Sequence, residues 1–139
     1  MTQRPLPQPT AISRPFWDAC RQQRLIIQRC QDCGQHVFLP QSFCPNCLSR
    51  SLSWVPVSGA GRVVTYTVVW RPQTPAFEVP YVIAVVCLDE GVDMLTNLVD
   101  AEPEQVSIGA RVRVAFADVA ADATLPFFRL VETAAEPQP

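Results

Sequence analysis

Four cysteines in two pairs, Cys30-Gln31-Asp32-Cys33 and Cys44-Pro45-Asn46-Cys47, carry the clearest chemistry in this chain. Each pair sets two residues between its thiols, and residues 34–43 separate the pairs. Such spacing predicts two tight knuckles whose backbone N–H groups turn toward the sulfurs, with a tetrahedral metal between them. A disulfide across so short a gap is strained and usually redox-active. No βαβ pattern flanks either pair, as a thioredoxin-like site requires. Zinc is the expected metal, because four thiolates close its coordination sphere. Iron in a rubredoxin-like site uses the same ligands and stands as the alternative. A closed centre of this kind holds a fold and does no chemistry on a substrate. His36, the only histidine, reads as a surface residue of the ribbon's hairpin and not as a ligand. Gly34 follows the first pair, but Leu48 follows the second, at a position that often needs φ > 0. Leucine there implies strain of about 1 kcal/mol and a looser second knuckle.

Beyond the cysteines, catalytic sets are missing. One histidine inside the ribbon allows no Ser-His-Asp or Cys-His arrangement elsewhere. There is no glycine-rich phosphate loop and no lysine for a Schiff base. Asp89 and Glu90 form a carboxylate pair, but at a hairpin tip where solvated charge is the expectation. A stand-alone enzyme is therefore not expected.

The elements that position the cysteines come next. Residues 14–29 read as a helix, with Ser13 as N-cap and Pro15 in its first turn. Phe16, Trp17, Cys20 and Leu25 form its apolar set; Arg21 and Arg24 extend from the other side. That aromatic face either packs on its own domain or docks on another protein. Residues 30–52 are the zinc ribbon. Strand-like stretches follow at 53–57, 61–70, 80–88, 92–99, 110–117 and 127–132, rich in valine and divided by turn signals. The expected fold is mainly β: the N-terminal helix and rubredoxin-like ribbon, then a five- to six-stranded OB-fold barrel over residues 53–133. Cys87 is expected in the barrel core. Residues 1–13 and 134–139, rich in proline, are expected to be flexible tails or draped on a partner.

Composition narrows the partners. Hydrophobic residues make up 48% and charged residues 17%, with no run long enough to cross a bilayer. The N-terminus lacks the apolar core of a signal peptide, so the cytoplasm is the expected location. Residues 1–58 carry a formal +4, and residues 59–139 a formal −6. An acidic barrel repels a phosphate backbone, which speaks against the alternative of a single-stranded nucleic-acid module.

The loop Trp70-Arg71-Pro72-Gln73-Thr74-Pro75-Ala76-Phe77-Glu78-Val79-Pro80-Tyr81 is the most unusual segment outside the ribbon. Three prolines stiffen it and lower the entropy cost of presenting Trp70, Phe77 and Tyr81 to a ligand. Covering the barrel end is the other use for those rings. Leu125-Pro126-Phe127-Phe128 extends the same surface or turns a ring inward.

The order of these parts is similar to that of a known family. The marks are Pro15-Phe16-Trp17, Cys30-x2-Cys33-Gly34, Phe43-Cys44-Pro45-x-Cys47, the strand from Gly61 to Trp70, Pro80-Tyr81-Val82 and Leu95-Thr96-Asn97-Leu98-Val99. Over residues 14–132 the chain resembles the acyl-CoA-associated accessory proteins, which pair a rubredoxin-like zinc ribbon with an OB-fold. Leu48 departs from that family's usual glycine. The resemblance implies a non-catalytic partner of a thiolase-superfamily enzyme (thiolase, synthase or aldolase) in lipid, steroid or polyketide-type acyl-CoA metabolism. It implies that the barrel and its loops lie near the partner's active site and coenzyme A tunnel. Carried onto this sequence, the loop from Trp70 through Arg71 to Tyr81 and Asn97 fall nearest that tunnel. Arg14, Arg21 and Arg24 are then candidate counter-charges for its phosphates, or else a solvated helix face. A barrel that binds free acyl-CoA is a further alternative.

Overall fold

The computed structural model describes residues 4–131. The expected tail at 134–139 and the last residues assigned to the barrel therefore lie outside the described residues.

The chain enters through α1 (Arg14–Arg21). Thr10 and Ser13 exchange three side-chain hydrogen bonds of 2.9–3.1 Å just before it, and Pro15 sits in its first turn. The helix is shorter than the expected 14–29. It stops because Gln23 adopts φ +58°, its N–H bonding the Cys20 carbonyl while the Arg24 N–H bonds that of Ala19. That is a Schellman closure with glutamine where glycine is usual, so nothing in the sequence marked the stop. The β-branched run beyond it becomes β1 (Ile26–Cys30) instead.

β1 is the centre of a small antiparallel sheet, between β2 (His36–Val37) and β3 (Leu52–Pro56). Its register with β3 runs from Ile26 opposite Pro56 to Cys30 opposite Leu52. Thus the stretch expected as the first barrel strand belongs to the ribbon. The hydrophobic pattern named a strand there, but not its neighbour.

The barrel comprises β4 (Ala60–Val69), β5 (Tyr81–Leu88), β6 (Asp93–Leu98), β7 (Arg111–Ala120) and β8 (Ala123–Leu130). It closes in the order β4-β5-β6-β8-β7, with β7 returning to β4. All pairings are antiparallel except β6 with β8, where Leu98 meets Phe128. This is the Greek-key OB topology. A short 3-10 turn, Pro103–Gln105, lies between β6 and β7. β5 shows how the sequence fills the barrel: Val82, Ala84, Val86 and Leu88 are buried, and the residues between them are not. Cys87 falls on the outward set, which corrects its expected place in the core. Phe128 is fully buried where β6 and β8 meet.

Phe16 and Cys20 of α1 belong to the same buried cluster as Val63, Val86 and Phe128, so the helix packs on its own barrel. Phe16 meets Trp17 edge-on at 5.0 Å and the ribbon's Phe38 at 5.9 Å. Helix, ribbon and barrel thereby share one core. Pro7, Gln8 and Pro9 lie beside the helix and barrel, and the first three residues of the expected tail at 1–13 lie outside the described residues. Among the described residues no helix is long and apolar enough to cross a membrane.

Candidate metal centre and aromatic groove

The two knuckles fold alike. Gly34 and Leu48 each donate their N–H to the carbonyl of the first cysteine in their pair, at 2.9 Å. The Cys30 N–H donates to the Gln35 carbonyl at 2.9 Å, and the Cys44 N–H to that of Ser49 at 2.8 Å. These turns gather all four Sγ atoms within 4.8 Å of one another. Cys30 and Cys47 lie 3.6 Å apart, as do Cys33 and Cys44. Four sulfurs held ~2.3 Å from one tetrahedral zinc stand ~3.8 Å apart, so the observed spacing fits that ion and is far too long for disulfides. The N–H of Cys33 points at Cys30 Sγ and that of Asn46 at Cys44 Sγ, each at 3.4 Å. The Cys33 N–H, then that of Asp32, bring the Cys30 thiol down to about 6. Cys30 and Cys44 are buried, while Cys33 and Cys47 are exposed. His36 lies on β2 and is not among the four clustered ligands. Leu48 does take φ +64°, as the sequence implied. A bound zinc supplies a crosslink between the knuckles and, with four protein ligands, no open position.

Two other thiols have different fates. Burial pushes Cys20 up to about 12, so it is a neutral packing group. Burial, then the neighbouring Asp93, raises Cys87. Asp89 and Glu90 are not merely solvated. Arg111 grips Asp89 with two bonds of 3.0 Å, and Glu90 accepts from the Ser58 N–H at 3.0 Å. Asp89 thus ties the β5–β6 hairpin to β7, and Glu90 ties it to the connection between β3 and β4.

The expected binding residues divide into three groups. A groove of about 480 Å³ runs between α1, the ribbon loop 38–40 and strands β6 and β8, and Phe16, Trp17, Asn97 and Phe127 line it. A second recess of about 450 Å³ adjoins it across Asn97 and Phe127 and is lined by Phe77 and Tyr81. These two rings stack, with centroids 5.7 Å apart. Asn97 sits at the junction and donates to the Val82 carbonyl at 3.3 Å. Trp70 is 64% exposed, and neither it nor Arg71 lines either cavity. Arg21 lies on the far side of Trp17 beside Thr124. Arg14 and Arg24 do not line the groove.

Sequence reasoning missed one wall entirely. Phe38, Leu39 and Pro40 come from the loop between the cysteine pairs. Gln28, buried on β1, fixes that loop by donating to the Gln41 carbonyl at 3.0 Å and accepting its N–H at 2.8 Å. A glutamine between isoleucine and arginine in a strand was the available signal, since buried amides seek partners.

The four-sulfur cluster and the closed five-stranded barrel define a zinc-ribbon protein with an OB domain. Residues 17–53 match the family described as "ChsH2, rubredoxin-like zinc ribbon domain", and residues 54–117 that described as "ChsH2, C-terminal OB-fold domain". The chain belongs to this ChsH2-type zinc-ribbon and OB-fold family. A "Probable enoyl-CoA hydratase alpha subunit" of Thermomonospora curvata is 42% identical over 122 residues, which are 86% of this chain and 38% of that protein. The chain thus spans well under half of that relative's length. A "DUF35 domain-containing scaffold protein" of Pyrococcus furiosus is 38% identical over 109 residues, 76% of this chain and 78% of that one. Among solved structures, a chain of "Ltp2-ChsH2(DUF35) aldolase" superposes with a TM-score of 0.83 at 38% identity, covering 89% of this chain and 98% of that chain.

Proposed function

We propose that this protein is a non-catalytic accessory subunit of an acyl-CoA enzyme of the thiolase superfamily. The observation that carries the reading is its likeness to nearly the whole of a chain from an aldolase assembly. The chemistry of the described residues supports it. Four thiols belong to a closed metal set, Cys20 is buried and neutral, and the sole histidine lies on the ribbon strand β2. The nucleophile and base would come from the partner. This chain contributes shape: zinc fixes the ribbon, Gln28 fixes loop 38–41, and Phe16 locks both to the barrel.

In this reading the groove between Phe16 and Phe127 borders the partner's acyl channel, with Phe77, Tyr81 and Asn97 at its far end. An apolar wall with a few polar groups suits an acyl chain. Arg14 and Arg21 on α1, with Arg24 just beyond, would offer counter-charge to coenzyme A phosphates. Exposed Trp70 and Arg71 would serve the protein–protein contact, where tryptophan and arginine are favoured anchors. Co-expression with a thiolase-superfamily partner should yield a heteromer by gel filtration with light scattering. Clean separation at micromolar concentration would reject it.

The Thermomonospora relative favours a second reading, the same accessory role beside an enoyl-CoA hydratase. Assaying a co-purified complex for hydration of an enoyl-CoA, against carbon–carbon cleavage or condensation, separates the two.

A further inference from the structure

The rings of the aromatic recess are already engaged by the chain's own N-terminal segment. The Arg4 guanidinium lies 4.8 Å from the centre of the Phe77 ring and 5.7 Å from that of Phe127. Tyr81 stacks behind Phe77. Among the described residues no carboxylate lies within ion-pair distance of Arg4, so the rings are its main partners. The segment that delivers it reads Arg4-Pro5-Leu6-Pro7-Gln8-Pro9. Alternate prolines fix φ and favour an extended polyproline II form. Pro7 and Gln8 wall the large groove, while Leu6 and Pro9 rest beside Trp17 on its other side.

No backbone group of residues 4–9 hydrogen bonds to the barrel among the described residues. Side chains alone seat the segment, and among the described residues its polar fastening lies behind it, in the Thr10–Ser13 cap and the Arg14 N–H donated to the Thr10 carbonyl at 2.9 Å. Aromatic-lined grooves are the usual receptors for proline-rich segments, because a preformed polyproline II helix loses little entropy on docking. This strap has that relation to Trp17, Phe77 and Phe127.

We propose that the aromatic rings along the recess and adjoining groove form a recognition surface for an arginine-led, proline-rich peptide, covered in the free chain by its own residues 4–9. The inference goes beyond the accessory role and does not depend on it. Tethering at Thr10 presents the strap at an effective concentration of ~1 mM. A segment with an intrinsic Kd of ~0.1 mM is then seated about nine-tenths of the time and weakens a competitor about tenfold. Whatever uses the same rings in a complex has to displace Arg4 first.

The test keeps the chain at full length. Arg4→Glu with Leu6→Asp should release the strap without touching the core, since Leu6 is exposed and Arg4 half-buried. A synthetic peptide of residues 1–12 is titrated into this variant and into the wild type, following amide NMR shifts of Phe77, Tyr81 and Phe127. We expect saturable shifts at these amides in the variant and binding about tenfold weaker in the wild type. Arg4→Ala in the peptide should cost about two- to fivefold, the weight of an exposed cation–π contact. Equal affinity for both proteins overturns the proposal. So does the absence of shifts at these amides up to millimolar peptide in a variant whose melting curve matches the wild type. Gel filtration with the enzyme partner reads the accessory role separately.

Discussion

Replacing Leu48 by glycine should strengthen the metal centre although it removes a large side chain. Leu48 adopts φ +64° and is 76% exposed. A left-handed backbone costs a residue with a Cβ about 1–2 kcal/mol, and an exposed side chain returns little packing. Glycine gives part of that back through a broader unfolded ensemble, about 0.4–1 kcal/mol. The net stabilisation of Leu48→Gly is about 0.5–1 kcal/mol. Gly34→Ala is the control in the sister knuckle, where φ is +78°. A Cβ there meets only Arg29 Nη2 at 3.8 Å, so strain without a clash sets its cost. Destabilisation by about the same 0.5–1 kcal/mol is expected. Urea unfolding of the zinc-loaded protein measures both, and competition with a chromophoric chelator reads zinc affinity. Should Leu48→Gly lower stability or zinc affinity while Gly34→Ala is neutral, the strain argument is wrong, and Leu48 must be held by contacts of its own.

Other consequences are more direct. Wild-type protein should carry one colourless zinc per chain by elemental analysis, and Cys30→Ser should lose most of it and melt early, because metal binding and ribbon folding are one equilibrium. Phe128→Ala should cost about 3–5 kcal/mol in urea unfolding, since the ring is fully buried at the β6–β8 seam. The bond from Arg111 holds the Asp89 carboxyl below its ordinary range. Its stabilisation is present above the unfolded value of ~3.9 and fades as pH falls through the folded one. Asp89→Asn should therefore melt below wild type at pH 7, with the gap closing in acid.

The parts most legible in the sequence were those fixed by local chemistry. Cysteine spacing located the four ligands, and the alternation in Val82–Leu88 located a barrel strand. What stayed hidden depended on neighbours distant in the chain. The stretch 53–57 looks like any strand, and only its register against β1 puts it in the ribbon. The end of α1 was invisible because a glutamine occupies the left-handed position. The stiff loop marks Phe77 and Tyr81 in the sequence, the last apolar group marks Phe127 and the family resemblance marks Asn97; the barrel's closure brings the four together. Trp70 and Arg71 belong to the same loop in the sequence, but they line neither cavity. The strap was unreadable for a related reason: proline-rich composition looks the same whether the segment is free or seated on rings.

Light scattering on the protein co-expressed with the proposed acyl-CoA enzyme, paired with a thioester turnover assay on each component, separates a scaffold from an enzyme. A defined heteromer is expected, together with no turnover by the isolated chain. Thioester chemistry at an enzyme-like rate by this chain alone, or a monomer that never associates, contradicts the accessory role.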